Sequence, residues 1–221
     1  MKHILKPTFL FLIAGFVLLF LTTSLFIELA DDVLENEKFK VDHYFHEVLV
    51  FTEDDTLYQW MTWITEAGSV LVITIGSVIV AVSLFFLTNN KWYSILFSLN
   101  MIGIGLLTKV LKLVFQRNRP ELIAAFDGTG YSFPSGHSTG SVAFYGFLIF
   151  LVWKLVSKQA VKWLIILLLG ILSIAIPYSR VVLGVHFFTD ILAGMALGLS
   201  WLIICIFTLE FLLWRARKRQ V

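Results

Sequence analysis

The chain has 221 residues, 58% of them hydrophobic and 14% charged, with a mean hydropathy of +0.87. Soluble domains carry about 25% charged residues, so this composition excludes an ordinary soluble domain and points to an integral membrane protein. The formal net charge of +2 gives no reason to expect nucleic-acid binding, and the one cysteine, Cys205, reads as a buried thiol in an apolar run.

Lys2 and Lys6 precede an apolar run that starts at Pro7 and extends to about Leu29. It is longer than a secretory h-region and no small-x-small cleavage site follows, so it reads as a retained membrane helix rather than a signal peptide. Residues 31–63 turn acidic: Asp31, Asp32, Glu35, Glu37, Asp42, Glu47, Glu53, Asp54 and Asp55 stand against Lys38 and Lys40. We expect an extracytoplasmic loop there containing an amphipathic helix, with Trp60 and Trp63 in the aromatic belt where the chain re-enters the bilayer. Crossing the hydrocarbon takes ~20 apolar residues. The spans fall at about 7–29, 64–87, 92–115, 138–156, 163–176 and 185–214. Pro177 is expected to end the fifth, since a proline inside a helix removes a hydrogen bond. The expected fold is all-α, one membrane domain over residues 1–221: a bundle of six transmembrane helices plus the amphipathic extracellular helix region.

Six spans put both termini on one side of the membrane. Lys2, Lys6, Lys91, Lys154, Lys158, Lys162 and the tail Arg215, Arg217, Lys218 and Arg219 share that side. Lys38, Lys40, Arg117, Arg119 and Arg180 lie on the other, which Lys109 and Lys112 approach from the third span. The positive-inside rule then predicts cytoplasmic termini in a plasma-membrane protein. The same topology gathers three polar clusters, separate in sequence, on the outer face.

In the first cluster, Lys112 and Arg119 are two helical turns apart and share a face on a continuing helix. A lysine inside a span costs on the order of 2.5 to 3.5 kcal/mol at full depth and needs a partner. For Lys112 an anion site is the favoured reading, and for Lys109 snorkelling to the headgroups. In the second, Pro134-Ser135-Gly136-His137 precedes a helix for which Ser138 and Thr139 are able N-caps, and glycine lets a ligand approach free amides. Alone, this tetrapeptide is equally an ordinary helix start. In the third, His186 and Asp190 are one turn apart, so the carboxylate can hold one imidazole nitrogen and leave the other nucleophilic. Arg180 adds a planar fork for phosphate oxygens. A helix-stabilising pair is the bland reading of His186 and Asp190.

Lys112-x6-Arg119-Pro120, Pro134-Ser135-Gly136-His137 and Ser179-Arg180-x5-His186-x3-Asp190 resemble, in order and without a departure, the three signature motifs of the type 2 phosphatidic acid phosphatases. Those are integral membrane lipid phosphatases, and the resemblance covers roughly residues 60–214. It implies that His186 is the nucleophile, that Asp190 orients and activates it, and that His137 is the general acid. Lys112, Arg119, Ser135, Gly136 and Arg180 are implied as the phosphate-binding set, with no metal and no other cofactor. The implied substrate is a lipid phosphate or diphosphate: phosphatidylglycerophosphate, undecaprenyl diphosphate or phosphatidic acid. The expected partners are that substrate and membrane lipids, with no nucleic acid and no obligate protein partner. The alternatives are an anion-binding protein or transporter that does not cleave, and a vanadate haloperoxidase, whose soluble character the hydropathy opposes.

Other polar groups have plainer readings. Asp42, His43, His46 and Glu47 have metal-ligand spacing, but a polar surface helix explains them better. Glu28, Glu66 and Glu210 sit near span ends, and Gly194 with Gly198 forms a small-xxx-small stripe suited to close helix contact.

Overall fold

The computed structural model describes residues 5–35, 39–49, 55–120 and 130–218. Lys2, Glu37, Lys38, Glu53, Asp54 and Arg219, and the side chains of Lys6 and His46, lie outside the described residues. Among the described residues eight helices run in chain order: α1 (Leu5–Leu34), α2 (Lys40–Val48), α3 (Thr56–Glu66), α4 (Val70–Leu87), α5 (Trp92–Phe115), α6 (Gly136–Leu155), α7 (Gln159–Val182) and α8 (Phe188–Lys218). Six segments of the described residues are long and apolar enough to cross a membrane, with α3 and α4 together forming the second. Large apolar side chains such as Phe20, Phe86, Leu87 and Leu167 stand exposed on the outside of the bundle, as expected where lipid is the solvent.

α6 runs through the centre, packed against α7 and α8 and also against α4 and α5. Its Phe144, Phe147 and Phe150 interlock with Phe97 of α5 and Leu209 of α8, with Phe97, Phe147 and Leu209 fully buried. α1 lies against α8, where the hydroxyls of Thr22 and Ser200 meet at 2.7 Å. The glycine stripe of α8 faces the first turns of α6. A Cβ on Gly194 would stand 2.8 Å from the Ser135 carbonyl oxygen, and one on Gly198 2.8 Å from that of Thr139. Only glycine permits this approach, and it brings the start of α6 beside the start of α8. Glu210 of α8 pairs with Lys154 near the other end of α6, at 2.6 Å.

Several boundaries differ from the sequence reading for local reasons. α1 continues past Leu29 because Leu29, Ala30 and Val33 bury themselves against Phe133 and Ala193. The second span is interrupted at 67–69, where the Ser69 hydroxyl caps α4 by accepting from Val72 N. A Cβ on Gly68 would collide with Ile176 at 2.3 Å, so the break lets α7 close in. α6 starts at Gly136 because Ser135, not Ser138 or Thr139, is its N-cap.

The expectation that Pro177 ends the fifth span is wrong. α7 runs on to Val182 with Pro177 inside it. A proline in a helix interior costs about 3 kcal/mol or more, but this turn is buried: Ile176, Pro177, Ser179, Arg180, Val181 and Val182 are all shielded. Ser179 adds a 2.7 Å hydroxyl bond to the Ile176 carbonyl. Tertiary burial outweighs the local penalty, and the extra turns carry Arg180 into the cluster described next.

Candidate active site

Three backbone features bring the clusters together. After α5 the chain passes Arg117, Asn118 and Arg119, and residues 130–135 double back along it: Ser132 N donates to the Arg117 carbonyl at 2.8 Å, and its hydroxyl to the Asn118 carbonyl at 3.0 Å. The turn between α7 and α8 wraps Val185 N and His186 N onto the Arg180 carbonyl, at 3.1 and 3.2 Å. Gly184 supplies the left-handed φ of 68° that this wrap requires. Finally, Ser135 N donates to the Asp190 carbonyl at 3.1 Å, joining the cap of α6 to the first turn of α8.

His186 and Asp190 are 3% and 0% exposed. His186 Nδ1 lies 3.2 Å from Asp190 Oδ2, which also accepts the Phe187 N–H at 3.0 Å. With Nδ1 engaged, Nε2 is the ring atom turned toward Arg119 Nη1, 3.4 Å away. Burial pushes His186 down to about 4, helped by Arg119 and Arg180 and opposed by Asp190. Burial thus favours the neutral ring, and with its Nδ1 proton given to Asp190 the lone pair lies on Nε2, where Arg119 Nη1 is the facing donor.

Around it stand fixed cations. Arg119 is braced by the carbonyls of Gly130 and Val185, both at 3.0 Å. Arg180, 2% exposed, donates to Thr65 Oγ1 of α3 at 2.9 Å. The Lys112 ammonium donates to the Tyr131 carbonyl. Lys112, Arg119, Gly136, His137, Arg180 and His186 all line one cavity of about 760 Å³. The cavity continues between α4 and α5 over apolar side chains including Val70, Ile73, Met101 and Leu106. Gly136 is open: a Cβ there would meet nothing within 4 Å. Since α6 begins at Gly136, its first backbone amides and positive dipole end lie at this wall, the amide of Ser138 being taken by the Ser135 hydroxyl.

Two members of the predicted set stand apart. Asp190 is behind His186, away from the cavity. Ser135 is fully buried, and its hydroxyl accepts from Ser138 N at 3.4 Å and from the Ser138 hydroxyl at 3.0 Å. It shapes the start of α6 from beneath. Lys109, read from sequence as snorkelling, lines the same cavity one turn from Lys112.

The sequence reading overlooked two groups. Arg117, treated only as a topological charge, donates to Asp190 Oδ1 at 2.5 Å. Asp42, grouped with polar surface residues, is 6% exposed and pairs with Arg117 at 2.8 Å. Its neighbours His43 and Glu47 pair with each other on the exposed side, at 3.3 Å. The available signal was an arginine two residues from Arg119 facing an acidic loop, which is too common to single out.

The arrangement is a neutral, carboxylate-oriented imidazole aimed into a cationic cavity, with a second imidazole on its wall. That is equipment for nucleophilic attack on an anionic phosphorus centre. Residues 93–214 match the PAP2 superfamily. The chain is 33% identical over 175 residues to phosphatidylglycerophosphatase B of Bacillus subtilis, covering 79% of this chain and 86% of that protein. It also superimposes on the crystal structure of a transmembrane PAP2-type phosphatidylglycerolphosphate phosphatase from Bacillus subtilis. There the TM-score is 0.74 and the identity 29%, over 86% of this chain and 96% of the other.

Proposed function

This chain belongs to the PAP2 superfamily, and on that premise we propose that it removes the terminal phosphate of phosphatidylglycerophosphate through a phosphohistidine on His186. It is a multi-pass membrane protein and a lipid phosphatase; the substrate and the residue roles are our reading. The observation that carries it is His186, held at Nδ1 by Asp190 with Nε2 turned toward Arg119. A non-cleaving binding protein has no use for a buried, oriented nucleophile.

In the proposed reaction His186 Nε2 attacks phosphorus as the P–O bond to the lipid alcohol breaks. His137 delivers a proton to the departing oxygen. The free lipid alcohol leaves and an N-phosphohistidine remains. His137 then takes a proton from water, whose oxygen attacks phosphorus, releasing inorganic phosphate and restoring His186. Charge developing on the phosphoryl oxygens is met by Lys112, Arg119, Arg180 and the amides at Gly136, with Ser135 setting the start of that helix. Positioned charges of this kind supply much of phosphoryl-transfer catalysis, and a placed acid adds about 10² to 10⁴ in rate. With these cations in place we read the reaction as metal-independent, so turnover should survive a chelator.

The apolar stretch of the cavity between α4 and α5 suits acyl chains, and its volume of about 760 Å³ is within the usual range for a ligand site. The relatives' names favour phosphatidylglycerophosphate over undecaprenyl diphosphate or phosphatidic acid. The charge asymmetry supports cytoplasmic termini and an outward-facing site in the plasma membrane, and the docking of α2 on α8 supports one membrane domain over residues 1–221. Purified protein assayed against the three lipids tests the reading. Phosphate should be released fastest from phosphatidylglycerophosphate, and His186→Ala should abolish both release and covalent labelling. Persistent labelling of that variant would overturn the assignment.

A further inference from the structure

We infer that Arg117 and Asp42 are positioning residues for the reaction: the extramembrane helix α2 reaches through them to hold the carboxylate that orients His186. The inference rests on the proposed role of His186, and its geometry is independent of that role. Asp190 has two oxygens with separate duties. Oδ2 takes His186 Nδ1 and Phe187 N, while Oδ1 takes Arg117 Nη1 at 2.5 Å. Without Arg117, one oxygen of a fully buried carboxylate would lose its partner, and the carboxylate could rotate about its Cβ–Cγ bond.

Arg117 is itself fixed from several directions. Its Nη2 donates to Asp42 Oδ2 at 2.8 Å and its Nη1 to Thr189 Oγ1 at 2.8 Å. Thr189 completes the ring, donating from its hydroxyl to Asp42 Oδ2 at 2.7 Å and from its backbone N–H to Asp42 Oδ1 at 2.8 Å. Thr189 N is one of the first amides of α8, which have no partner within the helix. Asp42 therefore caps α8 from a different helix. The guanidinium carbon lies 4.3 Å from the Phe187 ring centre and 5.3 Å from that of Phe39, and Phe45 of α2 stacks on Phe188 at 4.0 Å.

One guanidinium thus serves two buried carboxylates in a fixed fork that a lysine cannot reproduce. Arg117 does not line the cavity among its described residues, so it acts through Asp190 and not on the phosphate. A purely structural clamp would lower the fraction of competent enzyme, whereas a positioning clamp lowers the rate constant of competent molecules.

Rapid-quench measurement of phosphohistidine formation on phosphatidylglycerophosphate, in the full-length detergent-solubilised protein, separates amplitude from rate constant. We expect Asp42→Asn and Arg117→Gln each to lower the rate constant by about 10- to 100-fold, by analogy with the loss of partners that orient a metal-ligating histidine. KM should change little. Arg117→Lys should fall between Arg117→Gln and the parent, and the Asp42→Asn/Arg117→Gln double variant should lose less than the product of the single effects. Unchanged rate constants with reduced amplitude in Asp42→Asn and Arg117→Lys would overturn the inference and leave the phosphatase reading intact. Absence of phosphohistidine from the parent protein would overturn both.

Discussion

Asp190 is at once the orienter of His186 and a cap of the helix it begins: its Oδ2 accepts the Phe187 N–H at 3.0 Å and lies 3.2 Å from His186 Nδ1. Phe187 is the residue before α8 and Asp190 the third within it, so the bond closes half of a capping box. The two duties separate by substitution. Asp190→Asn keeps an oxygen for Phe187 N but loses the charge that supports the imidazole in the proposed attack. Asp190→Ala loses both. We expect both variants to lose at least about 10²-fold in kcat, as when the carboxylate of a catalytic triad is neutralised. In thermal unfolding, Asp190→Ala should be the less stable of the two by about 1 kcal/mol, the usual worth of a cap. Equal stability of the two variants would show that the cap carries no weight.

Gly136 offers a cleaner separation of activity from folding. A methyl group there meets no atom within 4 Å, and replacing a helical glycine with alanine gains about 0.5–1 kcal/mol. Gly136 lines the cavity, so in the proposed reading the same methyl would crowd a phosphate oxygen approaching the first amides of α6. Gly136→Ala is expected to unfold at the same or higher temperature while losing at least about 10-fold in kcat/KM, equivalent to about 1.4 kcal/mol. An unaffected kcat/KM would mean that phosphate does not use this helix end.

The acid limb of the reaction should lie well below the ordinary histidine range. His186 is moved from 6.5 to about 4, by burial first and by Arg119 and Arg180 next, against the pull of Asp190. A depressed folded-state value means the neutral form is favoured in the folded protein, so the associated stability is complete above 6.5 and declines as pH falls toward 4. In the proposed step the attacking ring must be neutral, so the acid limb of phosphohistidine formation set by His186 should appear only as the lower value is approached. Arg119→Gln removes one of the cations, and its acid limb should move up toward 6.5. A parent limb centred near 6.5 would contradict the buried geometry.

Much of this was legible in the sequence because membrane helices announce themselves by length and hydropathy. The third span, placed at 92–115, is α5, Trp92–Phe115. The three motifs were also legible as short local patterns, and Lys112, Arg119, Gly136, His137, Arg180 and His186 do share one cavity. What could not be read depends on tertiary contact. Pro177 looks like a stop signal until the burial of the following turn is known. Ser135 and Ser138 are equally good caps by type, and only the backbone chooses between them. Asp42 and Arg117 are 75 positions apart, and an acidic residue in an acidic loop looks solvated until the loop is seen docked on α8.

The approach of α8 to α6 sets how closely the two halves of the site can meet. A Cβ on Gly194 would lie 2.8 Å from the Ser135 carbonyl oxygen and 2.8 Å from Ser138 Cβ, the same turn that carries His137. These neighbours belong to a capped helix start and cannot swing aside, so Gly194→Ala must push the first turn of α6 away from Asp190. Gly146→Ala is the control. Its Cβ would come within 2.4 Å of Leu202 Cδ2, the flexible end of a side chain that can change rotamer. Overpacking costs typically about 1–3 kcal/mol, and Gly194→Ala should fall toward the upper end and Gly146→Ala at or below the lower. The change at Gly194 should also lower kcat, because it shifts His137 relative to His186. Thermal unfolding and single-turnover rates of the two variants test this, and equal losses in both would show that the glycine stripe packs helices without registering the site.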